Sequence, residues 1–167
     1  VPIFGVNFGT LGFLTEVEKP RIQKALYEIL SGNYEVEKRM ALTGRVQKTS
    51  VGEAIGIAIN EFIIGKQDFG HMITANVYVD DELMDTYVAD GILVSTPTGS
   101  TAYNLSAAGP VLVPSMEAMI ITPICPHSLN KRSLVVSSDS KLRIEVGKTK
   151  ENYQDEAAIR GDGQMLW

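Results

Sequence analysis

Pro20-Arg21-Ile22-Gln23-Lys24-Ala25-Leu26-Tyr27-Glu28-Ile29-Leu30-Ser31-Gly32-Asn33-Tyr34-Glu35-Val36-Glu37-Lys38 changes its hydrophobic period in the middle. Ile22, Ala25, Leu26, Ile29 and Leu30 fall at i, i+3, i+4, i+7 and i+8, which is one face of a helix. Pro20 suits the first helical position and Gly32 the stop, so the spacing predicts a helix over 20–31. Past Gly32 the period is two. Tyr34, Val36 and Lys38 alternate with Glu35 and Glu37, and Leu42, Gly44 and Val46 continue the pattern. The expected fold is therefore α+β and mainly β. Residues 1–32 read as the strand-loop-helix end of an N-terminal α/β domain, and residues 33–167 as an antiparallel, β-sandwich-like domain.

Outward from that switch the signals agree. Ile3 to Val6 reads as a short buried strand, followed by the glycine-rich loop Asn7-Phe8-Gly9-Thr10-Leu11-Gly12. Ala54 to Ile64 reads as one long apolar strand. Ile73, Ala75, Val77 and Val79 alternate, Asp80-Asp81-Glu82 turns the chain, and Leu83 to Val88 returns as a hairpin. Gly91 to Ser95, Ala118 to Ile124, Leu134 to Ser137 and Leu142-Ile144-Val146 supply further strands. Ser100 to Ala108 is the one other helical candidate. The chain begins in an apolar run at Val1 without a Met and ends just past the turn-like Arg160-Gly161-Asp162-Gly163-Gln164. The expectation is missing sequence at both ends, with the β domain incomplete at its C-terminus.

Composition narrows the function classes. Hydrophobic residues make up 44% and charged residues 21% of the 167, a globular balance that excludes disordered and collagen-like chains. No run reaches the roughly 18 apolar residues of a membrane span. Fifteen basic against 20 acidic residues give a net charge of −5. A chain without clustered Lys and Arg is a poor nucleic-acid backbone binder, but a nucleotide's few phosphates can be held by backbone N–H groups. The single cysteine, Cys125, excludes an intramolecular disulfide framework and fits a reducing, cytoplasmic setting.

The chemistry concentrates in Asp90-Gly91-Ile92-Leu93-Val94-Ser95-Thr96-Pro97-Thr98-Gly99-Ser100-Thr101-Ala102-Tyr103. An apolar strand opens onto five hydroxyls around Gly99, leading into the candidate helix. Hydroxyls and free N–H groups there suit phosphate or adenine edges. Asp90 offers the paired acceptors that ribose hydroxyls prefer, and Tyr103 a face for stacking. A capped turn needs the same Ser and Thr residues, so composition leaves both readings open. Asn60-Glu61 interrupts the apolar run 54–64. Glu61 must face solvent or a satisfied polar cleft, and a wet strand end is the simpler expectation. His71 and His127 are isolated and read as loop or packing residues. Cys125 reads as a buried, inert thiol.

Together these segments resemble NAD kinase, which phosphorylates the 2′-hydroxyl of the adenosine ribose of NAD. The resemblance runs through Gly5-Val6-Asn7-Phe8-Gly9-Thr10-Leu11-Gly12-Phe13-Leu14, Ala58-Ile59-Asn60-Glu61, Asp90-Gly91, and Ser95 through Tyr103. It continues in Ser106-Ala107-Ala108-Gly109-Pro110, Thr122 through Leu129, and Asp162-Gly163-Gln164. It implies an α/β domain followed by an all-β domain. It implies that Asn60, Glu61, Asp90, Thr98, Thr101, Ala102, Tyr103, Asn104, Leu105 and Ser106 hold NAD. Phe13 and Leu14 would line the pocket from the first domain, and Cys125 and Gln164 would contribute from the far end. His71 lies where many relatives place a basic residue, and Val88 where some have Arg, so a contact needing that charge is absent.

The resemblance further implies ATP or polyphosphate as donor, a divalent metal, expected to be Mg, and assembly into a homodimer or homotetramer. A neighbouring subunit would complete part of the NAD pocket. The family's catalytic Asp belongs to a Gly-Gly-Asp-Gly segment upstream of the strand that begins here. The one Gly-Asp-Gly in this chain, Gly161-Asp162-Gly163, lies at the opposite end. Two alternatives stand beside this reading. One is a non-catalytic dinucleotide-binding module. The other is a related lipid kinase, against which the hydroxyl-rich string from Ser95 speaks.

Overall fold

The computed structural model describes residues 2–9, 15–48, 52–67, 71–147 and 157–166. The chain divides into two compact units, Val1–Lys38 and Arg39–Trp167. In the first, strand β1 (Val6–Asn7) pairs in parallel with β2 (Val17–Glu18). A 3-10 turn over Lys19–Arg21 then leads into helix α1 (Ile22–Leu30). The strand expected over Ile3–Val6 is shorter and shifted, because pairing begins only at Val6. The end of α1 follows its sequence signal closely. Gly32 takes φ +79. Its N–H reaches Ile29 O at 3.1 Å, and Asn33 N–H reaches Glu28 O at 2.9 Å, so the last carbonyls are satisfied by the turn itself.

Residues 33–41 carry no strand ladder, which corrects the alternating strand expected over Tyr34–Lys38. Alternation makes a strand only where a partner edge accepts it, and Tyr34 and Val36 stand exposed. Regular pairing starts in the second unit with β3 (Leu42–Lys48), antiparallel to β4 (Gly52–Ala58). The run 54–64 is two strands, not one. It breaks at Ile59-Asn60, and β5 (Glu61–Lys66) joins a different sheet.

Then follow β6 (Ile73–Val79), β7 (Glu82–Ala89) and β8 (Gly91–Ser95). Helix α2 (Tyr103–Ser106) precedes β9 (Ala118–Ile124), β10 (Leu134–Ser137) and β11 (Leu142–Val146). Strands β12 (Ala157–Gly161) and β13 (Gln164–Met165) close the unit. The β6–β7 turn, Asp80-Asp81, has φ of 52° and 66°, the twist-matched form that a two-residue hairpin prefers.

One sheet has the order β10-β9-β8-β5-β12-β13 and a second the order β11-β6-β7. Ile73, Ala75, Val77 and Tyr87 of the smaller sheet pack on Ile92 and Ile121 of the larger. Leu42 and Ala58 of the β3–β4 ribbon pack with Phe62, Val94 and Met119. Phe62, Ile92, Val94 and Ile121 share one face by register, so that face is covered at one end by the small sheet and at the other by the ribbon. The opposite face carries a row of Glu61, Ser95 and Ile120 and a row of Ile63, Leu93 and Thr122. That second face positions the candidate site.

Candidate nucleotide site on the second face of the sheet

The corner between β4 and β5 is held from three sides. Asp162, in the β12–β13 turn, accepts Ile59 N–H on Oδ2 at 2.7 Å, and on Oδ1 it accepts Asn60 N–H at 2.8 Å and Glu61 N–H at 3.1 Å. Its own N–H donates to Glu61 O at 3.1 Å. From β8, Thr96 N–H donates to Asn60 O at 2.9 Å, and Thr96 Oγ1 donates to Ile59 O at 2.6 Å. Gly99 closes the third side. A Cβ there would sit 2.1 Å from Asn60 O, so only glycine permits this approach.

Glu61 is 7% exposed, and its Oε2 is buried with no hydrogen-bond partner among the described residues. Burial, and secondarily the charge of Asp162, raise its pKa above the ordinary carboxylate value. This corrects the expectation of a wet or satisfied Glu61. Register turns its side chain to the second face, under the 95–101 segment. A buried acceptor without a donor is costly alone and suits a site that receives a donor from a ligand.

The hydroxyl string divides by role. Ser95, Thr96 and Ser100 are buried. Ser95 Oγ donates to Thr96 O at 2.9 Å, and Ser100 Oγ donates to Pro97 O at 2.6 Å. Gly99 N–H donates to Thr96 Oγ1 at 3.0 Å, and Leu112 N–H to Ser100 Oγ at 3.1 Å. For these three the capped-turn reading holds. Arg39 Nη1 donates to Thr98 Oγ1 at 3.4 Å, placing a cation beside the string that no sequence pattern marked. The helical candidate 100–108 is a 3-10 turn, Thr98–Thr101, plus the four residues of α2, too short to carry much dipole.

Along α2, Tyr103, Leu105 and Ser106 are exposed and Ala102 is half-buried. Asn104 differs from the expectation of a ligand contact. It is fully buried, its amide donating to Ser100 O at 3.2 Å and Pro110 O at 2.9 Å while Oδ1 accepts Thr122 Oγ1–H at 2.7 Å. Its side chain anchors α2 to the sheet.

Asp90 stands at the other end of the β5–β8 pair. Its Oδ1 lies 2.6 Å from Lys66 Nζ, and Lys66 N–H donates to Asp90 O at 2.9 Å. Beside it, Asp90 N–H donates to Ile124 O at 2.9 Å, and His127 N–H to Val88 O at 2.8 Å. This brings Val88, Asp90 and Cys125 to one corner. Cys125 is exposed with φ 46, not buried as expected, because the chain turns sharply out of β9 there. His71 is exposed ahead of β6, and Gln164 is exposed just past Asp162. Phe13 and Leu14 lie outside the described residues.

The expected residues thus form two groups at opposite ends of β5: Glu61 on the second face, and Asp90 with its partner Lys66, which by register shares the first face with Phe62 and Ile64. At about 3.4 Å per residue the two ends are roughly 15 Å apart along the strand. Among the described residues, no group of three or more His, Cys, Asp or Glu side chains could hold a metal ion.

The chain is a mainly-β domain in which a half-buried Asn60 and a buried Glu61 are clamped beneath a hydroxyl-rich turn. Comparison makes this specific. Residues 59–165 match the ATP-NAD kinase C-terminal domain, and the chain belongs to that family. It is 45% identical over 164 residues to an NAD kinase of Thermoanaerobacter sp. (strain X514), covering 98% of this chain and 56% of that protein. It is 41% identical over 167 residues to an NAD kinase of Lachnoclostridium phytofermentans, covering 99% and 59%. Among solved structures, yeast NADH kinase complexed with NADH superposes with a TM-score of 0.91 at 30% identity, covering 99% of this chain and 47% of that one. An NAD kinase from Archaeoglobus fulgidus in complex with ATP gives a TM-score of 0.81 at 31% identity, covering 98% and 59%. The chain therefore spans between 47% and 59% of the length of these relatives.

Proposed function

We propose that the complete gene product transfers a phosphoryl group from ATP or polyphosphate to the 2′-hydroxyl of the adenosine ribose of NAD, giving NADP, and that this chain forms the NAD-holding part. The observation that carries the reading is the Asn60-Glu61 corner, its Glu61 buried and its backbone locked under Gly99, in a chain matched to the family over 59–165. Carboxylates accept ribose or amide donors well and repel the pyrophosphate. Glu61 and Asp90 therefore take sugar or amide donors, and the phosphates lie against those N–H groups and hydroxyls of residues 96–103 that the turn itself does not use.

The base that takes the ribose proton is expected from the upstream Gly-Gly-Asp-Gly segment. Asp162 is unsuited to that task, since its carboxylate already accepts three N–H groups. A divalent ion, expected to be Mg, would be held by the donor's phosphates and would neutralise their charge. A second copy of the chain, in a homodimer or homotetramer, completes the pocket between the Glu61 and Asp90 groups. The setting is cytoplasmic. No helix among the described residues is long and apolar enough to cross a membrane.

The test incubates the complete gene product with NAD, ATP and Mg and measures NADP. Formation of NADP that depends on both nucleotides supports the reading. Saturable NAD binding without turnover would favour a non-catalytic module instead.

A further inference from the structure

The geometry points to Asp162 as a positioning residue that fixes the Asn60-Glu61 corner for the dinucleotide, through three backbone N–H groups some hundred residues away in sequence. This deepens the proposed function and rests on it. Three consecutive N–H groups converging on one carboxylate is an anion-holding arrangement whose anion is part of the protein. Without it, Ile59, Asn60 and Glu61 lose their acceptors at the point where the chain leaves the β3–β4 ribbon for the large sheet. Thr96 still holds the carbonyl side of the corner, so the loss falls on its N–H side and loosens the direction in which Glu61 is presented. Asp162 is itself held in register. Its φ is 47, in the left-handed region that Asp and Asn tolerate, and the β12–β13 pairs Arg160 with Met165 and Gly161 with Gln164 fix the turn. The link is reciprocal, because Asp162 N–H returns a bond to Glu61 O.

The contact also has an electrostatic side. Ser95, opposite Glu61 on β8, is uncharged, as are Ala58 and Ile59 before it. Arg39 reaches the string at Thr98. Asp162 is the charged neighbour that acts on Glu61, and it makes ionisation of Glu61 harder. Asp162 therefore does two separable things: it shapes the corner, and it shifts the pH at which Glu61 becomes a full acceptor.

The experiment measures NAD affinity of the complete gene product from pH 4.5 to 8 for wild type, Asp162→Asn and Asp162→Gly, with amide hydrogen exchange at 59–61 in the ligand-free proteins. Asn keeps the size and the left-handed turn, and Gly keeps the turn with no side chain, so neither strains the backbone. Both variants are expected to speed exchange at 59–61 and to weaken NAD about tenfold at pH 8, the scale of a charged hydrogen bond left unmade. Both are expected to move the acidic midpoint of NAD binding to lower pH. Affinity within twofold of wild type would overturn the inference, and a uniform loss with an unmoved midpoint would overturn its electrostatic part. A wild type that shows no saturable NAD binding at any pH would instead overturn the proposed function. Unchanged exchange at 59–61 would remove the positioning role even if affinity fell.

Discussion

Lys66 and Asp90 are joined twice, by a backbone bond of 2.9 Å and by an ammonium-carboxylate contact of 2.6 Å. The pair closes the end of β5–β8 opposite Glu61. Its side chains are 26% and 30% exposed, so the contact is worth about 0.5–1 kcal/mol rather than the value of a dry pair. Its larger consequence is for ligand charge, since an unneutralised Asp90 repels a pyrophosphate.

Lys66→Met is expected to weaken NAD binding about twofold to fivefold at low salt. Raising the salt should narrow the difference, because repulsion between exposed charges is screened. Calorimetric titration at two salt concentrations checks this. A loss that grows with salt would contradict it.

Glu61→Gln separates stability from function. A carboxyl whose pKa is raised in the folded state favours folding when protonated, and that advantage is lost as pH rises through the raised value. The neutral amide should therefore make the ligand-free protein more stable at pH 7, by about 1 kcal/mol. The gain should vanish below the ordinary value of 4.5. Urea unfolding at pH 7 and pH 4 checks it. The same substitution is expected to weaken NAD binding, because it removes an acceptor oxygen. A variant less stable than wild type at pH 7 would show that Glu61 is satisfied in the folded state.

Gly99→Ala tests the packing of the hydroxyl turn on the corner. The new methyl would meet Asn60 O at 2.1 Å and Asn60 Cα at 2.6 Å, both backbone atoms that no rotamer can move. A destabilisation of about 1–3 kcal/mol is expected, with a parallel loss of NAD affinity. Unfolding midpoints and NAD titration of the purified variant measure both. Normal affinity in a folded protein would detach the turn from the site.

Much of this was legible in the sequence, and the failures have identifiable causes. Helix α1 and its stop at Gly32 were fixed by local chemistry, periodicity and a left-handed glycine, so they were readable. The Asp80-Asp81 hairpin was readable for the same reason. Tyr34–Lys38 misled because alternation reports amphipathicity, not the presence of a partner strand. Strand β12 was unread, since Ala157-Ala158-Ile159 is a short apolar run with no turn signal before it, and its place between β5 and β13 is a long-range fact. Asn60-Glu61 was visible as a polar break, but the burial of Glu61 and the clamping of the corner were not. The clamp depends on Asp162 and Gly99, which reach Asn60 from 102 and 39 residues away. Lys66 and Arg39 gave no signal at all, because single cations carry no spacing.

Assembly gives a further outcome. Val111, Val113 and Met116 are exposed on the loop between α2 and β9, and Val135 is exposed on β10, an edge of the large sheet. The proposed homodimer or homotetramer would cover such surfaces and bring a second copy to the site. Light scattering of the complete gene product is expected to give a mass of two or four chains. A monomer that binds NAD normally at high concentration would contradict the shared pocket.

In the proposed arrangement this chain holds NAD, with Asp90 as one of its acceptors, while the donor nucleotide is held elsewhere. Replacing Asp90 by Asn keeps its size and exchanges one acceptor oxygen for a donor amide. NAD and ATP are titrated separately into the complete gene product, wild type and Asp90→Asn. A loss of NAD affinity of about 1–3 kcal/mol, with ATP affinity nearly unchanged, is the predicted result. Unchanged NAD affinity, or an equal loss for both nucleotides, would show that Asp90 is structural and that the dinucleotide does not lie where it is proposed to lie.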